Sequence, residues 1–145
     1  MFQGTFPHNL DDKARVLLPV PFRDLVGEKV VLLYGPDGCV RGYPKEKWDE
    51  MLARGASTQA EWSTALRRYI GTATVVQREQ NYRISVPEPM LEHAGLKWPC
   101  RAYITGIGVG FEIWERDRYQ RYTGSTFVSG LLAEEARRAG MPELA

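Results

Sequence analysis

Arg15-Val16-Leu17-Leu18-Pro19-Val20-Pro21 returns later in the chain as Arg83-Ile84-Ser85-Val86-Pro87-Glu88-Pro89. The offset (83 − 15 = 68) also lays Gly27 on Gly95. The second copy then carries a three-residue insertion. At the new offset (106 − 35 = 71) Gly35 meets Gly106, Tyr43 meets Trp114 and Trp48 meets Tyr119. An ordered series of matches is the mark of a duplicated unit. The chain therefore divides into a first module near 5–47, a helical spacer at 48–73, a second module at 74–117 and a C-terminal helical segment at 118–145.

Each module reads in the same order. An extended segment (Thr5 to Leu10; Ala73 to Gln77) runs into a polar turn (Asp11-Asp12-Lys13-Ala14; Glu79-Gln80-Asn81-Tyr82). A short strand then begins at the arginine. Ile84 and Val86 alternate with Arg83 and Ser85, the period of a half-buried strand. Pro-x-Pro stops it, because proline cannot donate to a central ladder, and the second proline suits the first position of a short helix. Phe22, Leu25 and Val26 follow at helical spacing, and Gly27 sits where a glycine cap belongs. A hairpin closes the module: Val30 to Tyr34, the turn Gly35-Pro36-Asp37-Gly38, then Cys39 to Tyr43. Its counterpart is Ala102 to Thr105, Gly106-Ile107-Gly108-Val109-Gly110, then Phe111 to Trp114. Strands this few cannot bury a core alone. The expected fold is α+β, two pseudo-repeated β modules intertwined in one β-barrel-like body with packed helices.

The spacer starts as a helix from Pro44 to Arg54. Thr58-Gln59-Ala60-Glu61 has capping-box spacing ahead of the stripe Trp62, Ala65, Leu66, Tyr69 and Ile70. The C-terminal segment predicts one helix from Arg116 to Tyr122. A second, from about Ser125 to Arg138, has Phe127, Val128, Leu131 and Leu132 as its apolar stripe. That stripe suits either intramolecular packing or a subunit interface.

With 43% apolar and 26% charged residues, the composition is that of a folded protein rather than a disordered one. No stretch is long and apolar enough for a membrane helix, and the first residues lack the features of a signal peptide. Cys39 and Cys100 make no disulfide framework and lack metal-ligand spacing, which points to a cytoplasmic setting. Nineteen Lys and Arg against 18 Asp and Glu give a formal net charge of +1. That balance argues against nucleic acid unless a basic surface is local and replicated by symmetry.

Such a surface is suggested by Arg15 and Arg83. Each is the first residue after a tight polar turn, and each follows a carboxylate four positions earlier, Asp11 or Glu79. A turn of this kind can project an arginine toward phosphates or base edges, for which its fork of donors is suited. The alternative is an ion pair that only orders the turn.

Met1-Phe2-x-Gly4, Asp11-Asp12-Lys13-Ala14-Arg15, Pro19 and Phe111-Glu112-Ile113-Trp114, taken in order, resemble the MraZ family of bacterial transcriptional regulators. The resemblance extends over nearly the whole chain. It implies two SpoVT-AbrB-type modules, a ring-shaped homo-oligomer and a nucleoid-associated protein. It also implies binding to short direct repeats of double-stranded DNA upstream of the division and cell-wall gene cluster. Arg15 would contact phosphate or guanine, Lys13 the backbone, and Asp11 would orient Arg15. Arg83 and Glu79 are their weaker counterparts. Ala14 stands where a glycine is usual. Tyr82 occupies the equivalent place in the second turn, where a bulky side chain disfavours positive φ, so that turn is expected to differ.

Other signals point elsewhere less strongly. Gly106 to Gly110 resembles part of a dinucleotide fingerprint, but it leads into a strand rather than a helix. A Cys39/His8 nucleophilic pair lacks a third orienting group. Arg67-Arg68 and Arg137-Arg138 suit solvated helix faces, and the four tryptophans suit core or interface. No catalytic residue, metal ligand, cofactor, small-molecule substrate or membrane partner is expected. The competing function is an AbrB-like antitoxin or protein-interaction module.

Overall fold

The computed structural model describes residues 1–126 and 129–144. The two strands that follow the polar turns, Arg15–Leu17 (β2) and Arg83–Ser85 (β6), pair with each other antiparallel, with Val16 opposite Ile84. Both central residues are completely buried, because the period-2 alternation sends them inward while the flanking residues face out. Around them lie Thr5–Leu10 (β1), Lys29–Gly35 (β3), Cys39–Pro44 (β4), Thr74–Gln77 (β5), Cys100–Gly106 (β7) and Phe111–Glu115 (β8). The sheet order is β5-β3-β4-β8-β7-β1-β2-β6, and each ladder is antiparallel.

That order exchanges strands between the copies. β1 of the first copy lies on β7 of the second, and β5 of the second lies on β3 of the first. The self-equivalent pairs β2–β6 and β4–β8 lie on the axis of pseudo-symmetry. The end strands β5 and β6 are consecutive in the chain and approach each other, so the sheet is a nearly closed barrel. The intertwined barrel expected from the repeat is the observed architecture.

The barrel interior is filled by residues from both copies, including Leu10, Leu32, Val40, Leu91, Ile104 and Ile113. Phe2 and Phe6 meet Phe22 edge-on at centroid distances of 5.1 and 5.4 Å, and Phe2 also meets Phe111 at 5.8 Å. Such pairs each add about 0.5–1.5 kcal/mol beyond their burial. Close approach dictates glycine at several barrel positions, Gly42 and Gly106 among them. A Cβ on Gly42 would collide with the Phe111 ring, and one on Gly106 with the backbone of Phe2 and Gln3. Gly106 to Gly110 is the β7–β8 turn, bridged to the N-terminus by Phe2 and Gly108, and it opens no helix.

The helical expectations need several corrections. Helix α1 is a single turn, Val20–Arg23, ending on Asp24 in right-handed geometry, so Gly27 is not its cap. Its counterpart α4, Glu88–Ala94, does end on left-handed Gly95, at φ 67°. In both helices the first proline occupies the N-cap and the second lies inside the first turn. The spacer forms α2, Lys45–Ala56, and α3, Thr64–Gly71. Thr58 heads only a 3₁₀ turn at Gln59–Glu61. Ser63 is the true cap of α3, its Oγ accepting the Leu66 N–H at 3.1 Å. An exposed hydroxyl directly before Thr64 meets the orphan amide need better than the earlier threonine.

Residues 116–145 form a separate unit. It contains α5, Arg116–Thr126, and α6, Ser129–Arg138, with a 3₁₀ turn at Pro142–Leu144. Gly140, at φ 79°, follows α6, and the Met141 N–H donates back to the Ala136 carbonyl at 2.7 Å. Phe127 and Val128 of the expected stripe lie outside the described residues.

Candidate nucleic-acid interface

The β2–β6 pairing sets the two polar turns side by side. In the first turn the Asp11 N–H donates to the Arg15 carbonyl (2.9 Å) and the Ala14 N–H to the Asp11 carbonyl (3.0 Å). In the second, the Glu79 N–H donates to the Arg83 carbonyl (2.9 Å) and the Tyr82 N–H to the Glu79 carbonyl (3.0 Å). Ala14 and Tyr82 sit at φ 59° and 64°. The second turn therefore has the same backbone as the first, contrary to expectation. Each left-handed residue also bridges the copies: the Leu18 N–H donates to the Tyr82 carbonyl and the Val86 N–H to the Ala14 carbonyl, both at 2.9 Å. These paired cross-links hold both positions in a region that side chains otherwise avoid.

The side chains inside the turns differ. Asp11 Oδ1 accepts the N–H groups of Lys13 and Arg15, each at 2.9 Å, and its Oδ2 accepts Arg15 Nε at 2.9 Å. Burial pushes the Asp11 carboxyl up, but the Arg15 and Lys13 amides and the Arg15 guanidinium outweigh it and hold the group below its ordinary value. The hydrogen bond to Asp11 likewise raises Arg15, against some desolvation. In the second turn the Asn81 side chain accepts the Arg83 N–H at 3.2 Å, since the longer Glu79 does not fold back as Asp11 does. Glu79 instead reaches the other turn, 3.5 Å from Arg15 Nη1. Arg15 is thus held by carboxylates of both copies. Lys13 and Arg83 have no carboxylate partner among the described residues.

Two further cations belong to this surface. Arg23 donates Nε to the Leu18 carbonyl at 3.0 Å. Arg78 donates Nε to Gly27 (2.9 Å) and Nη1 to Glu79 (3.1 Å), both backbone carbonyls. Both guanidiniums lie over the Tyr82 ring, at 5.4 and 4.5 Å from its centroid. The two turns carry Lys13, Arg15, Arg78 and Arg83 against Asp11, Asp12 and Glu79, a local surplus of 4 − 3 = +1, and Arg23 beside them is followed by Asp24. Sequence reasoning missed Arg23 and Arg78. Their repeat partners at the 68-residue offset are Leu91 and Leu10, so aligning the copies marks both places as core. The available signal was an arginine standing against a leucine in the other copy.

The remaining polar features are structural. Arg41 and Glu112 face each other across β4–β8 as an ion pair, with Nε 3.0 Å from Oε2, and Trp114 Nε1 donates to the other Glu112 oxygen at 3.0 Å. The neighbouring Tyr69 hydroxyl is buried without a hydrogen-bond partner among the described residues, and burial pushes it up to about 12. Cys39 donates to the Pro36 carbonyl at 3.3 Å rather than to His8, and burial holds its thiol far above the usual range. His93 shares a hydrogen bond with the Gly35 carbonyl and stacks on Tyr34. Among the described residues no cluster of His, Cys, Asp or Glu could hold a metal ion, and no helix is long and apolar enough to cross a membrane.

Comparison with known proteins places the chain among its relatives. The family profile described as "MraZ protein, putative antitoxin-like" matches residues 1–69. A protein of Acetivibrio thermocellus named Transcriptional regulator MraZ is 31% identical over 145 residues, covering 97% of this chain and all of the relative. The chain belongs to the MraZ family. Proteins of the same name from Limosilactobacillus fermentum and Lactobacillus gasseri are 32% and 33% identical, over 84% and 85% of this chain and 86% and 87% of their own lengths. These MraZ relatives are named as regulators and not as enzymes.

Proposed function

We propose that this MraZ-family regulator binds double-stranded DNA sequence-specifically, at short direct repeats upstream of the division and cell-wall gene cluster, as a ring-shaped homo-oligomer in the nucleoid. The observation that carries the reading is that the β2–β6 pair sets two arginine-bearing turns side by side. Arg15 is the contact to phosphate or guanine, Lys13 adds backbone charge, and Asp11 sets the orientation of Arg15. Arg83 extends the same surface from the second turn, with Glu79 as the carboxylate between the turns.

One such surface offers few phosphate contacts and binds weakly at cell salt. Several copies on one ring meet successive repeats, and effective concentration then raises affinity without new contacts. The near-neutral chain is compatible with this, since the surplus is local and replicated. Footprinting on the DNA upstream of the protein's own gene is expected to give evenly spaced protected blocks. Arg15→Ala is expected to remove them with the fold intact. Undiminished protection by Arg15→Ala overturns the assignment. An antitoxin-like module instead predicts a dimer that needs a partner, which light scattering of the purified protein distinguishes.

A further inference from the structure

We infer that Arg23 and Arg78, seated on the Tyr82 ring, form a second phosphate clamp that grips the DNA backbone beside the paired turns. The assignment rests on the DNA-binding reading above and adds two contact residues and one positioning residue to it.

The pseudo-symmetry of the barrel supplies the argument. At the 68-residue offset Tyr82 corresponds to Ala14, Arg78 to Leu10 and Arg23 to Leu91. Around the first turn the trio Ala14, Leu10 and Leu91 is buried in the core. An apolar trio is therefore sufficient to build this turn with its left-handed residue. Around the second turn the same three places hold an aromatic ring and two guanidiniums, all half-buried. The exchange moves two fixed charges from core positions to the surface that already carries Arg15 and Arg83.

The geometry suits anion capture. Both arginines spend Nε on a backbone carbonyl, and neither has a carboxylate partner among the described residues. Glu79, the carboxylate adjoining Arg78, is directed at Arg15. Among the described residues neither Nη group of Arg23 has a hydrogen-bond acceptor, nor does Nη2 of Arg78. A guanidinium lying over a ring and anchored through Nε has already lost much of its rotamer freedom, so a phosphate oxygen meets ordered donors. The two groups belong to one connected surface. Arg78 bonds the Glu79 carbonyl, Tyr82 accepts from Leu18, and Leu18 accepts from Arg23.

The test is fluorescence anisotropy on a duplex from the upstream repeats and on a scrambled duplex, across a salt series. Arg23→Leu and Arg78→Leu install the residues that the first turn uses, so both are expected to fold. Arg23→Gln and Arg78→Gln serve if circular dichroism reports otherwise. Phosphate contacts carry no sequence information, so each variant is expected to weaken both duplexes by a similar factor, of fivefold or more (on the order of a single charged contact). The slope of log affinity against log salt is expected to fall by about 0.9 per arginine in each engaged subunit. Tyr82→Leu keeps both charges and is expected to weaken binding while retaining more of the slope. Unchanged affinity and slope in folded Leu and Gln variants, with Arg15→Ala still defective, overturn the clamp alone. Failure of the unaltered protein to bind either duplex overturns the DNA reading itself.

Discussion

Ala14 and Tyr82 occupy equivalent left-handed positions, at φ 59° and 64°, with matching hydrogen bonds. Replacing each by glycine is therefore a controlled pair of experiments. Relief of the left-handed strain gains about 1–2 kcal/mol at either site. The greater freedom of glycine in the unfolded chain costs about 0.4–1 kcal/mol at either site. These backbone effects cancel in the comparison, and only the side chains remain. Ala14 loses one buried methyl, about 0.8 kcal/mol. Tyr82 loses two cation–ring contacts of about 0.5–1 kcal/mol each. It also loses the burial of roughly half a ring against the core, a further ~1 kcal/mol.

Ala14→Gly is thus expected to be nearly neutral, and Tyr82→Gly to cost about 1–2 kcal/mol. With ΔTm of roughly 2–4 °C per kcal/mol for a chain of this size, the variants should melt about 3–6 °C apart. Calorimetry or urea titration at matched protein concentration measures the difference, which keeps any effect of association constant. Equal stability of the two variants refutes the reasoning, because the Tyr82 ring then contributes no more than the Ala14 methyl.

Two other perturbations follow from the site geometry. Glu112→Gln leaves Arg41 facing an uncharged partner inside the β4–β8 pair and should cost about 3 kcal/mol, whereas Tyr69→Phe removes an unpartnered hydroxyl and should cost less than about 0.5 kcal/mol, both read by urea denaturation. The Asp11 carboxyl is depressed in the folded state, so its contribution is present above the unfolded-state value near 4 and is lost as pH falls through the folded value. The stability gap between the unaltered protein and Asp11→Asn should be full at neutral pH and narrow progressively as pH falls through the folded-state value, and a gap that persists undiminished in acid excludes this linkage.

The duplicated Pro-x-Pro strand was legible because its period, its stop signal and its spacing all agree. Exchange of strands between copies followed from the inability of one short module to bury Val16 or Ile84 alone. Local conformation was harder to read. Tyr82 violates its intrinsic preference because the Leu18 amide and the Arg23 guanidinium, both far away in sequence, join Arg78 in holding it in place. The cap of α3 was misplaced because Thr58 and Ser63 carry equivalent hydroxyls, and only the path of the chain selects one. Arg23 and Arg78 were hidden for a related reason. Repeat alignment emphasises what the copies share, while this surface consists of what they do not.

The strand exchange also bears on biosynthesis. β1 pairs with β7 in a register that joins Thr5 to Thr105, so the first strand waits while about a hundred residues are made. At roughly 5–20 residues per second this is about 5–20 s on the ribosome. During that interval the nascent first module presents apolar β3 and β4 with their outer ladder groups unpaired, an invitation to pair with another chain. Long-range pairings of this kind slow barrel closure as well. A truncated transcript or a stalled ribosome would therefore yield a sticky half-barrel in place of a smaller folded domain, and the final strand β8, laid between β4 and β7, is the step that commits the chain to its fold.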